Sequence, residues 1–275
     1  MIRLVVDSNS QIPPSLAERF GITVVPLTVT VDGVPYLEGV DLDADGFYAR
    51  FRSGTPPVAT AAPSPGHFAV AYERLLYAGA TEILSVHIGA AVSGTVNAAR
   101  VAAARLPIPV RIVDTGTASF GVTLCAWAAA EAVAAGATID EAARVAERTA
   151  RSLGNVFVTR GLDLARAGGR LAPDVAEKEP GTVPILSMVE GVMRVVGHAS
   201  QLADAADVMA ARVYAAGDDV RVGVGVADAG VALVGEAIEQ RLAGAPHVRE
   251  VVRYRVGPSV GAHTGPGTVG VMYAS

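Results

Sequence analysis

Ser93, His263 and either Asp7 or Asp114 are, by residue type, the parts of a nucleophile–base–acid relay for acyl chemistry. A serine hydrolase or acyltransferase built on Ser93 and His263 is therefore one reading of the chain. The local string Gly89-Ala90-Ala91-Val92-Ser93-Gly94 is not the Gly-X-Ser-X-Gly elbow that holds such a serine on a sharp strand-to-helix turn. Other chemistries fail more simply. Lys178, the sole lysine, sits between Glu177 and Glu179, so no loop ends in the Gly-Lys-Ser/Thr of a phosphate-binding loop. Gly265-Pro266-Gly267-Thr268-Val269-Gly270 matches G-x-G-x-x-G, but the sequence runs only five residues further. A dinucleotide site needs a strand before that string and a helix after it, so a turn and a strand are expected instead. Asp7-Ser8-Asn9 lacks the second aspartate of a phosphotransfer loop and reads as a strand end whose polar side chains cap the backbone. The histidines, at 67, 87, 198, 247 and 263, have no metal-ligand spacing. No metal and no cofactor are expected.

The elements that carry these residues alternate in the first half. Runs at 2–6, 22–25, 83–87 and 110–113 read as strands. Segments 14–20, 43–52, 66–78, 93–104, most of 116–135, and 139–153 read as helices. Strand–helix alternation implies a parallel sheet, with Asp7, Asp114 and the segment 89–93 at carboxyl ends of strands, where such sheets bind ligands. The runs 28–31 and 34–37 flank Asp32-Gly33 and predict a hairpin. Loop 53–65, with its prolines and glycines, is expected to be irregular.

Beyond residue 153 the pattern mixes hairpins with crossovers. Strands are expected at 156–159, 184–188, 192–197, 220–226, 248–252 and 268–273, and helices at 200–215 and 230–242. The expected fold is α/β: a parallel-sheet domain over 1–153 and an α+β domain over 154–275, with the ligand at the interface between them.

With 51% hydrophobic residues but only 5% aromatics, the core must be built from Ala, Val, Leu and Ile. Small aliphatic walls also suit a slot for an alkyl chain, or they reflect no more than an Ala-rich composition bias. The net charge is −5 and the arginines are scattered, which argues against nucleic acid or an anionic membrane surface as partner. Cys125, the one cysteine, lies among Leu124, Ala126 and Trp127 and reads as a buried thiol; no intrachain disulfide can form. The N-terminus enters a strand-like run with no basic leader. Residues 115–130 are uncharged but shorter than the ~20 residues of a membrane span. The uncharged stretch 256–275 holds glycines and prolines that argue against a helix. A cytoplasmic protein with no integral membrane segment is expected.

Four strings, taken in order, carry a resemblance. They are Val6-Asp7-Ser8-Asn9-Ser10 followed by Val25-Pro26-Leu27; Thr60-Ala61-Ala62-Pro63-Ser64-Pro65; Ser93-Gly94-Thr95 with Asp114 beyond it; and Gly168-Gly169-Arg170 with the late Gly261-Ala262-His263-Thr264-Gly265-Pro266-Gly267. Their order and spacing resemble the DegV family of bacterial fatty-acid-binding proteins across essentially the whole chain. The resemblance implies an α/β domain plus an α+β domain with a long-chain fatty acid between them. It also implies a carrier role: presenting the acid to a separate ATP-binding fatty acid kinase subunit, which phosphorylates the carboxylate, so that the chain is not itself an enzyme.

On that reading Thr60, Ser93, Gly94, Thr95, Arg170 and His263 are the ligand-binding residues. Ser93 opens a helix whose N–H groups and hydroxyl suit a carboxylate, or it simply caps that helix. Thr60 presents a second hydroxyl, or is an ordinary turn residue. Arg170 counters the carboxylate or an incoming phosphate, or pairs with an interface acid. His263 joins the carboxylate network, faces the kinase, or is a satisfied buried imidazole. Two departures are visible. Ala61 and Ala62 stand where the family usually carries a longer polar pair. Gly197-His198-Ala199-Ser200 stands where members often carry an arginine that serves kinase contact, with Arg194 the nearest basic residue. Lipid binding does not need that arginine.

Overall fold

The computed structural model describes residues 1–173, 175 and 181–275; the segment holding Lys178 lies outside them. The chain opens with β1 (Ile2–Asp7), α1 (Pro14–Phe20) and β2 (Thr23–Val25). Pro14 starts α1 where a missing N–H costs nothing, and Gly21 ends it at φ 60°, the left-handed conformation of a helix stop. The hairpin β3 (Thr28–Val31) and β4 (Val34–Leu37) turns on Asp32 and Gly33, both at positive φ, as the sequence predicts. Next come α2 (Ala44–Ala49), β5 (Val58–Ala61), α3 (Pro65–Tyr77), β6 (Glu82–His87), α4 (Thr95–Ala103), β7 (Val110–Asp114), α5 (Phe120–Ala134) and α6 (Ile139–Ser152).

β2, β1, β6 and β7 form a parallel sheet in that order. Both its faces are covered, as such sheets require. Val5 and Ile83 pack under α3 and α4, while Leu4, Val6, Leu84 and Val86 pack under α5 and α6. The hairpin forms a separate antiparallel sheet, β4-β3-β5. β5 corrects the expectation of an irregular loop: four residues bracketed by prolines pair with β3 from Val58 to Ala61. Prolines outside a short edge strand remove none of its ladder bonds, so the proline count misleads there.

The second half runs β8 (Gly154–Val158), α7 (Asp163–Ala167), β9 (Val183–Val189), β10 (Val192–Ala199), α8 (Ala205–Tyr214), β11 (Val220–Val226), α9 (Ala232–Leu242), β12 (Val248–Arg255), α10 (Pro258–Thr264) and β13 (Val269–Ala274). Its sheet has the order β10-β9-β8-β13-β11-β12 and is antiparallel except between β11 and β12. α8 and α9 bury one face of it with Met209, Val213, Ile238 and Leu242. The fold is thus mixed α/β: a parallel sheet first, then a mixed sheet with helices.

α7 and α10 are unforeseen in the sequence reading, and α10 overturns the argument from glycine and proline. Pro258 sits in its first turn, where it is tolerated. Gly261 lets Tyr48 and Phe47 close in: a Cβ there would lie 2.6 Å from the Tyr48 hydroxyl and 2.7 Å from the Phe47 ring. Tertiary packing overrides the weak local propensity.

α5 lies between the two sheets and touches β1, β6, β11 and β13. Phe120, Leu124, Cys125, Ala126 and Trp127 are all buried, which accounts for the uncharged stretch at 115–130. Phe120 stacks on Tyr254 at 4.6 Å. Arg221 of β11 lies 3.9 Å over the Trp127 ring and donates to Glu131 at 2.8 Å, and Trp127 Nε1 donates to the same carboxylate at 2.9 Å. Among the described residues no helix is long and apolar enough to cross a membrane.

Candidate functional site

The carboxyl ends of β1, β6 and β7 fix one loop. Asp7 Oδ2 accepts from His87 Nδ1 at 2.9 Å and from the Ile88 N–H at 3.0 Å. His87 Nε2 meets Ser85 Oγ at 2.7 Å, and Ser85 meets the Tyr72 hydroxyl at 2.8 Å. With the imidazole proton on Nδ1, Tyr72 donates to Ser85 and Ser85 to His87. Asp114 Oδ1 accepts from the N–H groups of Ala90 and Gly116 at 3.1 and 3.0 Å. Gly89 has no room for a side chain, since a Cβ would lie 2.7 Å from the Gly116 backbone. The segment 89–93 is therefore held at both edges before it reaches Ser93.

Ser93 precedes α4 rather than opening it: Gly94 is the cap and the helix starts at Thr95. The Ser93 hydroxyl meets Thr95 Oγ1 at 2.8 Å and accepts only a long contact, 3.4 Å, from the Thr95 N–H. Thr60 lies on β5, not in a loop, and its Oγ1 is 3.0 Å from His263 Nε2. His263 sits near the end of α10. Burial, reinforced by the nearby Arg170 guanidinium, pushes its pKa down to about 4, so it is neutral at pH 7. Its Nδ1 is buried with no hydrogen-bond partner, pressed against Gly168, where a Cβ would approach to 2.4 Å. Arg170 donates from Nη2 to the Val92 carbonyl at 2.6 Å, while its Nε is buried without a partner.

These groups share a cavity of about 250 Å³, far larger than ordinary packing voids. Thr60, Ser93, Gly94, Arg170 and His263 are in its wall; Thr95 is not, being buried behind Ser93. Ala61 and Ala62 line the same cavity, with Ala62 beside Gly94. The remaining wall is largely apolar, with Leu27, Ile88, Phe157, Met188, Met193 and Met272.

The sequence reading missed a second polar patch in this wall. Asn9 donates to Ser259 Oγ at 3.1 Å and accepts the Ser119 N–H at 2.9 Å, and Ser119 Oγ meets the Tyr254 hydroxyl at 3.2 Å. Ser119 has φ 58°, a conformation no composition argument signals. Beneath it Glu38, buried and with its carboxyl pushed up by that burial, accepts from Ser8 Oγ at 2.5 Å and from the Ser259 N–H at 2.8 Å. Glu38 thereby ties α10 to the hairpin.

Ser93, His263 and a carboxylate are not brought together. Asp7 is bonded to His87, Asp114 to main-chain N–H groups, and Ser93 to Thr95. The string Gly265–Gly270 forms a turn, with Gly265 and Gly267 at φ 75° and 76°, that leads into β13.

The family model described as "Uncharacterised protein, DegV family" matches residues 1–275. A DegV domain-containing protein of Streptomyces coelicolor is 35% identical, over 100% of this chain and 98% of its own. Among solved structures, a DegV family protein of Thermus thermophilus, described by its fatty acid binding, superposes with a TM-score of 0.89 at 31% identity, covering 100% of this chain and 99% of that one. DegV of Bacillus subtilis, at 23% identity and a TM-score of 0.85 over 99% of this chain and 98% of its own, shares the fold. On a match that runs from the first residue to the last, the chain belongs to the DegV family.

Proposed function

We propose that this chain binds one long-chain fatty acid in the cavity, with its carboxylate among Thr60, Ser93, Gly94, Arg170 and His263, and presents it to a separate kinase subunit. The observation that carries the reading is the gathering of the Ser93 and Thr60 hydroxyls, the His263 imidazole and the Arg170 guanidinium, whose Nε is buried without a partner, in one wall of a largely apolar cavity. A buried polar atom without a partner calls for an explanation, and on the wall of a cavity a polar guest supplies one. If His263 donates from Nε2 to Thr60, the Thr60 proton is free to point at a carboxylate oxygen. Thr95 acts behind Ser93, orienting its hydroxyl. The Thermus relative supports the choice of ligand.

The energetics agree. Each buried methylene is worth about 0.8 kcal/mol, so roughly 15 methylenes gain up to about 12 kcal/mol before the costs of association. A buried carboxylate without donors would cancel much of that, and the hydroxyls and Arg170 prevent it. On this reading residues 1–153 supply the Ser93 and Thr60 walls and residues 154–275 the opposite wall. The separate carboxylates of Asp7 and Asp114 favour a carrier without turnover of its own over a hydrolase. A cytoplasmic location fits the buried, unpaired Cys125.

Mass spectrometry of lipid extracted from the purified protein tests binding: a stoichiometric fatty acid is expected, and its lack would sink the reading. Presentation is tested by adding ATP and a fatty acid kinase subunit to the loaded protein, with acyl phosphate as the expected product. Loaded protein that yields none would remove the kinase half of the proposal alone.

A further inference from the structure

β8 and β9 are neighbours in the mixed sheet, yet a single main-chain pair, Phe157 with Leu186, joins them. β8 is laddered to β13 along its whole length, and β9 to β10 likewise. The antiparallel register would next place Asn155 opposite Met188. There the strands have parted, and the Asn155 side chain fills the split. The Met188 N–H donates to Asn155 Oδ1 at 2.6 Å, Asn155 Nδ2 donates to the Met188 carbonyl at 3.1 Å, and Ser187 Oγ donates to the same Oδ1 at 3.3 Å. One side-chain amide satisfies both main-chain groups that a ladder would otherwise pair.

Two hollows meet at this split. One is the cavity described above. The other, about 300 Å³, is walled by Leu153, Val156, Val196, Tyr273 and Arg212. Among the described residues, Asn155 and Met188 alone line both. The split also lies in line with the carboxylate site. Leu171 bridges to Met193, Met193 pairs with Met188, Met188 faces Asn155, and Asn155 pairs with Met272. An alkyl chain leaving Arg170 along this row crosses three strand spacings, roughly 14 Å, before it reaches Asn155. The methionines of the row are flexible enough to shape themselves to such a chain.

We infer that Asn155 is a specificity-determining residue: its amide seals the split between β8 and β9, shuts the tail of the bound acid out of the second hollow, and so limits the length of acid retained. The inference rests on the fatty-acid reading of the cavity. An apolar residue at 155 would fill space but strand the Met188 N–H and carbonyl, so an amide is the side chain that both seals the gap and keeps β9 bonded. Removing it joins the two hollows and gives the methyl end of a longer acid somewhere to go.

The test uses full-length wild type, Asn155→Ala and Met188→Ala, each stripped of lipid, offered an equimolar mixture of straight-chain acids of graded length, and analysed by mass spectrometry. The wild type is expected to show a sharp upper limit. Asn155→Ala is expected to retain acids beyond it, with relative retention rising about fourfold for each methylene newly accommodated. Met188→Ala keeps the Asn155 amide and its main-chain bonds and is expected to keep the wild-type limit; it carries the test if Asn155→Ala does not fold, and a raised limit in Met188→Ala overturns the inference. A loaded Asn155→Ala with the wild-type length profile likewise overturns it and leaves the fatty-acid reading standing. Three proteins that retain no acid overturn both.

Discussion

His87 and His263 stand at the heads of two superficially similar clusters, each an imidazole against a hydroxyl, and the two differ in what is left over. Both ring nitrogens of His87 are bonded, to Asp7 and Ser85, in a network with no exposure to solvent. His263 is bonded only through Nε2, and its other nitrogen is an unpartnered atom beside a cavity. An aspartate, a histidine and a serine in hydrogen-bond sequence thus form a structural tie in this molecule. Asp7 Oδ1 is also buried without a partner, but neither Asp7 nor His87 lines the cavity, whereas Thr60 and His263 do. On the proposed function, a place on the cavity wall, rather than residue type, separates scaffold from site.

That contrast can be broken by experiment. The largest effect is expected for Asp7→Ala, which strands His87 and the Ile88 N–H in a dry interior and should cost about 3–5 kcal/mol in urea unfolding. A variant with wild-type stability that had lost its acid would move this cluster into the site. His263 should next reveal itself through pH. Its pKa is about 4 in the folded chain and near 6.5 unfolded, so between those values the unfolded chain holds more protons. Stability of the lipid-free protein should fall as pH drops from about 6.5 toward 4, by up to about 3 kcal/mol. His263→Gln should lack that slope; an unchanged slope would assign it to other groups.

Ser93→Ala should reduce retention of a fatty acid about tenfold or more, the worth of one hydrogen bond to a charged group, with little change in unfolding midpoint. Equal loss of stability and retention would make Ser93 a scaffold residue. The smallest effect is expected for Thr60→Ser, which keeps the hydroxyl facing His263; retention measured by lipid extraction should stay within about twofold. A large loss would mean that the Thr60 methyl, not its hydroxyl, is what matters.

The same contrast explains what could be read from the sequence. Elements specified by local chemistry are visible there: the Asp32-Gly33 hairpin, α1 between Pro14 and Gly21, and the apolar run of β11. α10 is not, because its glycine is needed by Tyr48 and Phe47 from elsewhere in the chain. β5 is hidden by its flanking prolines. Thr60, Ser93, Arg170 and His263 are scattered along the sequence and become a set only through the ordered strings of a family. Asn155 has no local signature at all, since its role depends on two strands failing to pair. Thr95 belongs to a legible string, yet its hydroxyl faces Ser93 and the protein interior.

The placement of α5 constrains how any guest comes and goes. Swinging the two sheets apart like jaws would wet Phe120, Leu124 and Trp127 together and lift Arg221 from its indole. At roughly 2 kcal/mol for each large side chain, that motion carries a barrier contribution of about 6 kcal/mol before the ion pair is counted. On the proposed function, an amphiphile is expected to exchange through small displacements at the rim, where the short strand bearing Thr60 is paired on one side only, while the spine of the molecule stays shut.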